Sequence, residues 1–515
     1  MQATLDTYWA GTPVVVLANR APFRCHVSDD GVLRVQRSAG GLVTAVEPIV
    51  AACSGTWVAH GDANAGTAGA NAVAAPEMLP ANTRYRLRHV HLTKEEHHGF
   101  YAGFANEALW PLCHAVHVKP VFRISDFRYY RIANQRFADV TTQEALGSRP
   151  LVLVQDYHFA LAPRMLRKRL PASTVAVFWH IPWPHARVFA TCPWKQELLD
   201  GLLASDVVGV QTAEDRENFL DSVESCLGAH VDRTSGMVWY RDQRTLVRDY
   251  PVGIEWDSDV ARTEPSADTC RVRVRRELNL GADVRLGVGV DRLDYTKGIE
   301  EKFLAVERLL ETRPEFRGRF VFVQVAEPSR DSLSAYRAAR AQIVATSERV
   351  NARFASGSWR PIVLLETHHE PAEVYRLYRA ADVCYVNSLH DGMNLVAKEF
   401  VRGRDDERGV LVLSQFAGAS QQLRAALIVN PYAVDESANA LARALDMSAA
   451  EQTARMRQMR EVVRRTDTYW WAEQLLRDAK RMSTGTSNVR SHDSQFVAGL
   501  AMPAPATFRR IRYNV

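Results

Sequence analysis

The sequence predicts an α/β protein made of two doubly wound, Rossmann-like domains that face a central cleft. One observation behind this prediction is a set of short apolar runs without polar alternation, which is typical of strands buried on both faces of a parallel sheet. The runs are Val14–Ala18, Leu151–Val154, Val175–Trp179, Val207–Val210, Leu286–Val290, Phe320–Val325, Ile362–Leu365, Val383–Val386, Val410–Leu413 and Leu427–Val429. The other observation is that helical patterns separate the runs, as at Trp194–Ala204, Ile299–Glu311 and Ser332–Ala345.

The strands fall into two series with a polar linker between them. The first series ends near Pro251, the polar stretch Ile254–Asp268 follows, and a new series starts at Leu286. We therefore predict one domain over residues 1–252 and a second over 253–482, with the last helix a candidate to cross back onto the first domain. Ligands of such a pair bind in the cleft, at the carboxyl ends of the strands. A polar, Pro-containing composition predicts a loosely ordered tail over 483–515.

Composition and charge exclude several classes of protein. Hydrophobic residues make up 47% and charged residues 24%, which is average for globular proteins and excludes a disordered, collagenous or coiled-coil chain. The balance of 64 basic and 59 acidic residues does not indicate nucleic acid as a partner. Apolar runs of about five residues are far below the ~20 needed to cross a bilayer, and no secretory signal is evident, so no membrane partner is expected. Seven scattered cysteines without a CxxC pair argue against disulfides or zinc and predict a cytoplasmic location.

The segment Asn387–Val401 is the strongest candidate for a ligand site. A strand, a tight turn at Asp391-Gly392 and the start of a helix at Leu395 follow one another there. Free backbone N–H groups and the helix dipole make such a turn an anion site, for which a diphosphate is the obvious ligand. Glu399, two turns into the helix, is placed to accept hydrogen bonds from sugar hydroxyls. The alternative is an ordinary Asx/Gly turn with a surface glutamate.

Three cations follow predicted strands of the second domain. Arg292 and Lys297 lie in one loop after Leu286–Val290, and Arg330 comes after Phe320–Val325. Fixed cations at that edge can hold a leaving diphosphate without a metal. The alternative is that they are solvated surface residues.

The first domain also places polar residues at the ends of its strands. They are Asn19-Arg20, the glycine pair of Ser38–Leu42, Gln155–His158 and His180–Pro184. A glycine pair lets the backbone approach a ligand closely, although it is not a GxGxxG fingerprint. A lone buried histidine is more often structural than catalytic. No HExxH, GxSxG or P-loop motif is present, so protease, hydrolase and NTPase functions lack support.

Together these segments resemble the trehalose-6-phosphate synthase family, retaining glycosyltransferases of family 20 with the GT-B fold of two Rossmann-like domains. The matching segments run in family order across about residues 13–480. They are Asn19-Arg20, Ser38–Leu42, Tyr101–Trp110, Gln155–His158, His180–Pro184, Asp291–Gly298, Glu327–Arg330, Asp391–Glu399, Ser414–Ala419 and Ala426–Pro431. The chain looks like a divergent branch, because His60 stands where many members have a second Trp near the acceptor.

The resemblance implies a role for each matching residue. At the reacting centre it implies His180, Arg292, Lys297 and Asp391. For the donor nucleotide-sugar it implies Gly41, Gly392, Met393, Asn394, Leu395, Val396 and Glu399. For the acceptor sugar phosphate it implies Arg20, Tyr101, Trp110, Asp156 and Arg330. The first domain would then mainly bind the acceptor, and the second would bind the nucleotide-sugar. The family uses no catalytic metal or other cofactor, and its mechanism is thought to be a front-face attack without a protein nucleophile.

The expected activity is glucosyl transfer from a nucleotide-glucose to glucose 6-phosphate, giving trehalose 6-phosphate. Glucosylglycerol-phosphate synthesis with glycerol 3-phosphate as acceptor, and a non-catalytic sugar-phosphate sensor, are the alternatives. We expect UDP-glucose as donor, with the base near Glu366–His369, although GDP and ADP donors stay open. No phosphatase domain is predicted, and self-association into a homo-oligomer is left open.

Overall fold

The first of two β-sheets occupies the amino-terminal half of the chain. In this computed structural model, residues 2–27, 33–37, 41–61, 83–145, 147–257 and 265–489 are described. The sheet has the order β5-β4-β1-β6-β7-β8-β11-β10-β9, and a separate hairpin is formed by β2 and β3. The strands are β1 (Val14–Leu17), β2 (Phe23–Val27), β3 (Leu33–Arg37), β4 (Thr56–His60), β5 (Arg86–Val90), β6 (Leu151–Gln155), β7 (Thr174–Phe178), β8 (Val207–Val210), β9 (His230–Asp232), β10 (Met237–Tyr240) and β11 (Gln243–Asp249). Pairing is parallel from β5 to β11, and β10 and β9 add an antiparallel edge.

The second sheet is parallel throughout and has the order β14-β13-β12-β15-β16-β17. Its strands are β12 (Arg285–Arg292), β13 (Phe320–Glu327), β14 (Ile362–Leu365), β15 (Val383–Val386), β16 (Val410–Ser414) and β17 (Leu427–Val429). The strand order reverses between β12 and β15, which is where a doubly wound sheet binds its ligand.

Helices cover both faces of each sheet. In the first half they are α1 (Gln2–Trp9), α2 (Gly41–Ala52), α3 (Lys94–His97), α4 (Trp110–His114), α5 (Ile124–Glu144), α6 (Ala162–Arg169), α7 (Ala186–Phe189), α8 (Lys195–Leu202) and α9 (Ala213–Leu227). In the second half they are α10 (Ala267–Glu277), α11 (Ile299–Thr312), α12 (Ser334–Phe354), α13 (Pro371–Ala380), α14 (Leu395–Gly403), α15 (Val434–Asp446), α16 (Ala449–Arg465) and α17 (Thr468–Val489). Among the described residues, no helix is long and apolar enough to span a bilayer.

Alternate residues of each strand enter different cores, as a sheet covered on both faces requires. Val14 and Val16 of β1 belong to one apolar cluster, while Val15 and Leu17 belong to another. All ten predicted apolar runs coincide with strands, so the α/β fold of two Rossmann-like domains is confirmed. The sequence analysis did not identify the hairpin β2–β3, β4 and β5, nor β9 to β11.

The last helix, α17, lies against the first sheet rather than the second. Trp471 packs edge-on against Phe178 of β7 with ring centroids 5.0 Å apart, and the Trp9 indole donates to the Leu476 carbonyl oxygen at 3.0 Å. The domain boundaries themselves stay a prediction. The loosely ordered tail stays a prediction too, and α17 continues to Val489, seven residues past the predicted domain end at 482. Residues 490–515 lie outside the described residues.

The link between the halves is held by the helix that carries the predicted donor turn. Lys398 of α14 is buried, and its Nζ donates to the Val252 carbonyl oxygen at 2.6 Å. Arg402, one turn further along, donates to the Glu255 carbonyl oxygen at 2.5 Å. Gly253 passes so close to the start of α17 that an added Cβ would lie 2.3 Å from the Thr466 oxygen. The segment 252–255 between the halves therefore contacts both the helix that follows the predicted donor turn and the start of α17.

Candidate active site in the cleft

The predicted donor residues meet at the carboxyl ends of β12 and β15. Lys297 ends a short 3₁₀ turn after β12, and its Nζ donates to Asp391 Oδ2 at 2.5 Å. Gly298 follows with φ +60°, and a Cβ there would lie 2.2 Å from the Asn387 oxygen. Only glycine fits this close crossing of two loops. The crossing brings a cation from one strand end beside a carboxylate from the next.

The turn from Asp391 to Asn394 is fixed by its own hydrogen bonds. Asn394 has φ +71°, and its side chain accepts from the Ala397 N–H at 3.3 Å, which caps the start of α14. Asp391 Oδ2 also accepts from Ser388 Oγ and Asn394 Nδ2, each at 3.2 Å. Burial alone would raise the pKa of Asp391, but Lys297 and Asn394 hold it below its ordinary value. Asp391 is therefore an ionised acceptor at the mouth of an anion-binding turn.

Gly392 places this turn directly against the first domain. A Cβ at Gly392 would lie 2.2 Å from the His180 carbonyl oxygen, so the two backbones touch. His180 Nε2 pairs with Gln155 Oε1 at 2.9 Å, and its backbone N–H donates to Asp156 Oδ1 at 3.1 Å. Burial lowers the pKa of His180 to about 3, so the ring is neutral at physiological pH. A neutral ring at this point can donate or accept hydrogen bonds but is not a general acid.

Arg330 crosses from the second domain into the first. It has φ +54°, Nη2 donates to the Tyr157 hydroxyl at 3.1 Å, and Nη1 bonds to the Tyr336 hydroxyl. Its guanidinium lies 4.1 Å from the centre of the Trp110 ring. Arg330 is therefore aimed at the predicted acceptor residues although it is carried by the donor-side domain.

Asp294 is the buried carboxylate behind these cations. Its Oδ2 lies 3.5 Å from Arg330 Nη1 and 3.8 Å from Arg292 Nη2. Burial would raise the pKa of Asp294, but Arg330, Arg292 and Lys297 hold it low. Arg292 also lies over the Trp110 ring, with its Cζ 5.5 Å from the ring centre. One buried carboxylate thus orients two cations towards the cleft from the same side.

A long helix with an irregular centre supplies Tyr101 and Trp110. A π-helix over His98–Leu109 joins α3 to α4, and such segments are common at functional sites. Within it Asn106 Nδ2 donates to the Tyr101 carbonyl oxygen at 2.7 Å, while Asn106 Oδ1 accepts from the Tyr157 hydroxyl at 2.8 Å. Burial would raise the pKa of the Tyr101 phenol, yet Arg330 and Arg20 lower it below its ordinary value. Tyr101 therefore stands beside both predicted phosphate-binding arginines.

Asp156 lies at the end of β6 with φ +73°. Burial raises its pKa to about 6, against the opposing effect of the His180 N–H, Arg330 and Arg292. A non-glycine residue in this conformation marks strain of the kind that clusters at functional sites. Asp156 thus joins His180, Tyr101 and Arg330 around one end of the cleft.

Comparisons with known proteins decide the family. The model of glycosyltransferase family 20 matches residues 12–481. The chain belongs to glycosyltransferase family 20. It is 36% identical over 516 residues to a trehalose-6-phosphate synthase of Mycolicibacterium smegmatis, with 97% of each chain covered. A solved alpha,alpha-trehalose-phosphate synthase (UDP-forming) of Burkholderia xenovorans, in complex with glucose-6-phosphate, is 32% identical with a TM-score of 0.80, covering 91% of this chain and 100% of that one.

One family 20 relative is longer than this chain. A bifunctional trehalose-6-phosphate synthase/phosphatase of Thermoproteus tenax is 38% identical over 477 residues. The match covers 89% of this chain but only 62% of that protein.

Two of the predicted donor residues, Glu399 and Gly41, lie away from the Lys297–Asp391 pair and from Asp294 with its arginines. Glu399 accepts from the Tyr378 hydroxyl at 3.4 Å, and burial raises its pKa although Arg402 opposes this. Gly41 begins α2, while its predicted neighbours Ser38–Gly40 lie outside the described residues. The other predicted donor residues follow Asp391 closely. Met393 is buried and its carbonyl oxygen accepts from the Ala419 N–H, and Leu395 and Val396 open α14.

Sequence analysis did not predict that His60, His97, Tyr101 and His158 form a stack of rings beside the predicted acceptor residues. His60 stacks on His97 with centroids 4.4 Å apart, and His97 stacks on Tyr101 at 5.3 Å. Tyr101 in turn stacks on His158 at 5.8 Å. The signals that could have found this group are the His60 departure and the His97-His98 pair just before Tyr101. Within the described residues, no three His, Cys, Asp or Glu side chains are grouped so as to hold a metal ion.

Proposed function

We propose that this chain transfers glucose from UDP-glucose to glucose 6-phosphate with retention, giving α,α-trehalose 6-phosphate. The observation that carries the proposal is the contact of Gly392 with His180, which brings the anion-binding turn against the first domain beside Tyr101, Asp156 and Arg330. The trehalose-6-phosphate synthases reported above, including a UDP-forming structure in complex with glucose-6-phosphate, support the same reaction.

On the donor side, Arg292 and Lys297 neutralise the diphosphate as it leaves. Fixed cations act most strongly in a site that excludes water, because they need no reorganisation during the reaction. The turn from Gly392 to Val396 adds backbone N–H groups at the start of α14, Asp391 binds glucose hydroxyls, and Glu399 binds the nucleotide ribose. Gly41 lies over the donor phosphates. This charge arrangement lets the chain work without a catalytic metal, and activity that survives EDTA would support that part of the proposal.

On the acceptor side, Arg20 and Arg330 hold the phosphate from opposite domains, since guanidinium donors match phosphate oxygens. Tyr101, Trp110 and Asp156 position the sugar. The acceptor hydroxyl attacks the anomeric carbon on the face from which the diphosphate departs, and its proton passes to a departing phosphate oxygen. His180, held neutral by burial, orients the glucose by hydrogen bonding and needs no proton transfer of its own.

The test is incubation of the purified chain with UDP-glucose and either glucose 6-phosphate or glycerol 3-phosphate, with products identified by mass. We expect trehalose 6-phosphate and no free trehalose. Product with glycerol 3-phosphate alone would contradict the acceptor assignment, and nucleotide-sugar binding without turnover would favour a sensor. Neither alternative activity appears among the names of the relatives reported above. A higher kcat/KM with GDP-glucose would overturn the donor base.

A cytoplasmic location and a homo-oligomeric state remain proposals. Cysteine spacing supports the first, and gel filtration of the purified chain would test the second.

A further inference from the structure

Four rings form a continuous stack along one side of the acceptor half-site. His60 is the last residue of β4, His97 the last of α3, Tyr101 lies in the π-helix and His158 follows β6. The planes of successive rings differ by 23° from His60 to His97, 17° from His97 to Tyr101 and 8° from Tyr101 to His158. Offset, near-parallel rings at such distances attract one another. The stack thus connects the end of β4, the helical segment from α3 into the π-helix, and the turn after β6.

Tyr101 is the member of this stack whose hydroxyl interacts directly with a predicted phosphate-binding arginine, Arg330. Arg330 and Arg20 both lower the pKa of its phenol, which places the hydroxyl near their positive charge. The Tyr101 backbone is tied down by Asn106, but the plane of its ring is set by His97 and His158. Loss of His97 therefore frees the ring to tilt and moves the hydroxyl.

Two histidines of the stack, His60 and His158, are neutral next to this positive charge. Burial, with the nearby His97, His91 and His89, lowers the pKa of His60 to about 3. Burial and the charges of Arg330 and Arg20 lower the pKa of His158 well below its ordinary value. The imidazoles of His60 and His158 therefore pack as neutral aromatic groups beside Arg330 and Arg20.

We propose that His60 and His97 are positioning residues of the acceptor half-site, which act through Tyr101 by holding its ring and hydroxyl in place beside Arg20 and Arg330. This inference rests on the proposed function. Neither histidine needs to touch the sugar phosphate, since His97 contacts the Tyr101 ring and His60 supports His97.

The test compares aromatic and aliphatic replacements. His97→Leu and His60→Leu remove a ring, whereas His97→Phe and His60→Phe keep one. We expect each Leu variant to raise the KM for glucose 6-phosphate about three- to ten-fold, the range an aromatic pair supports, with the KM for UDP-glucose unchanged. The Phe variants should restore most of the loss. His230→Leu is the matched control, because His230 packs on Trp239 at the opposite edge of the same sheet, far from the cleft.

A double-mutant cycle tests whether the effect passes through Tyr101. In a Tyr101→Leu background, His97→Leu should change the acceptor KM little further, because the ring it positions is gone. Additive effects, equal losses in the Leu and Phe variants, or an unchanged acceptor KM in both Leu variants would overturn the proposal. Calorimetric titration of glucose 6-phosphate in the presence of UDP gives the same comparison without turnover. A wild-type chain that makes no trehalose 6-phosphate would instead count against the proposed function.

Discussion

The two halves of the cleft differ in the kind of side chain that lines them, charged in the predicted donor half and mainly aromatic in the predicted acceptor half. The donor half consists of charges set on strand ends close together in space, with Lys297 paired to Asp391 and Asp294 behind Arg292. The predicted acceptor half is mainly aromatic rings, stacked between segments far apart in the chain, and one of its cations, Arg330, comes from the other domain. The predicted donor half thus carries its own ion pairs, while the predicted acceptor half combines its own Arg20 with Arg330 from the other domain.

Breaking the donor ion pair should have the largest effect. Lys297→Met leaves Asp391 as an unpaired, largely buried carboxylate, which typically costs about 3–5 kcal/mol. We expect kcat/KM for UDP-glucose to fall by roughly two to three orders of magnitude and the Tm to fall as well. The double variant Lys297→Met/Asp391→Asn removes both charges, so it should regain stability but not activity. A double variant as unstable as Lys297→Met would contradict the pairing argument.

Arg330→Ala should come next, and its effect should fall on the acceptor. A charge-assisted hydrogen bond is worth roughly 1.5–3 kcal/mol, so kcat/KM for glucose 6-phosphate should drop about ten- to several-hundred-fold. Donor affinity measured without acceptor should barely change. Arg330→Lys keeps the charge but loses the planar contact with Trp110, so it should recover only part of the loss. Weaker donor binding alone would place Arg330 in the donor half instead.

Gly392→Ala tests the contact between the halves. The added Cβ would overlap the His180 carbonyl oxygen at 2.2 Å and push the donor turn away from the first domain. We expect kcat to fall roughly ten-fold, the scale of an overpacking penalty. Gly403→Ala, at the far end of the helix that follows this turn, is the matched control, because the nearest atom to its added Cβ would be 3.6 Å away. Full activity in Gly392→Ala would show that this contact is not needed for turnover.

The smallest expected effect on activity concerns His60, whose neutral form is tested through the pH dependence of stability. Burial lowers the pKa of His60 to about 3, whereas an unfolded histidine titrates near 6.5. Below pH ~6.5 the unfolded state binds the extra proton, so this group lowers the free energy of unfolding as pH falls, by at most about 1.4 kcal/mol per pH unit. Relative to wild type, His60→Phe should therefore become more stable between about pH 6.5 and 4. Parallel stability curves from chemical denaturation would show that His60 is not held neutral.

The difference between the two halves also explains which site residues could be predicted from the sequence and which contacts could not. Arg292, Lys297 and Asp391 were predicted because each follows an apolar run in the sequence, and neighbouring parallel strands bring such ends together. The ring contacts around Tyr101 were not predicted, because His60 and His158 are about 40 to 60 residues away in the sequence and only the fold brings them together. The functional roles of Arg292, Lys297, Asp391 and Tyr101 stay predictions.

Irregular elements escaped prediction for physical reasons. The π-helix over His98–Leu109 carries mostly ordinary helical residues, and it lies so close to α5 that a Cβ at Gly99 or Gly103 would overlap Tyr129 or Asp126, a contact that local preference does not reveal. β5 places arginines at alternate positions at the edge of its sheet, so it lacks the continuous apolar run of a central strand. Edge strands and functional helices are where local patterns inform least.

The return of α17 to the first sheet has a consequence for the order in which the chain can mature during synthesis. Trp471 and Leu476 fill the same core as Trp9 and Val14, and Asp478 accepts from the Tyr250 hydroxyl at 2.9 Å and from Arg248 Nη1 at 2.7 Å. A ribosome must therefore deliver nearly the whole second domain before the first can bury its own hydrophobic surface. Until then the nascent amino-terminal half presents an open apolar face, which is the kind of surface that chaperones recognise.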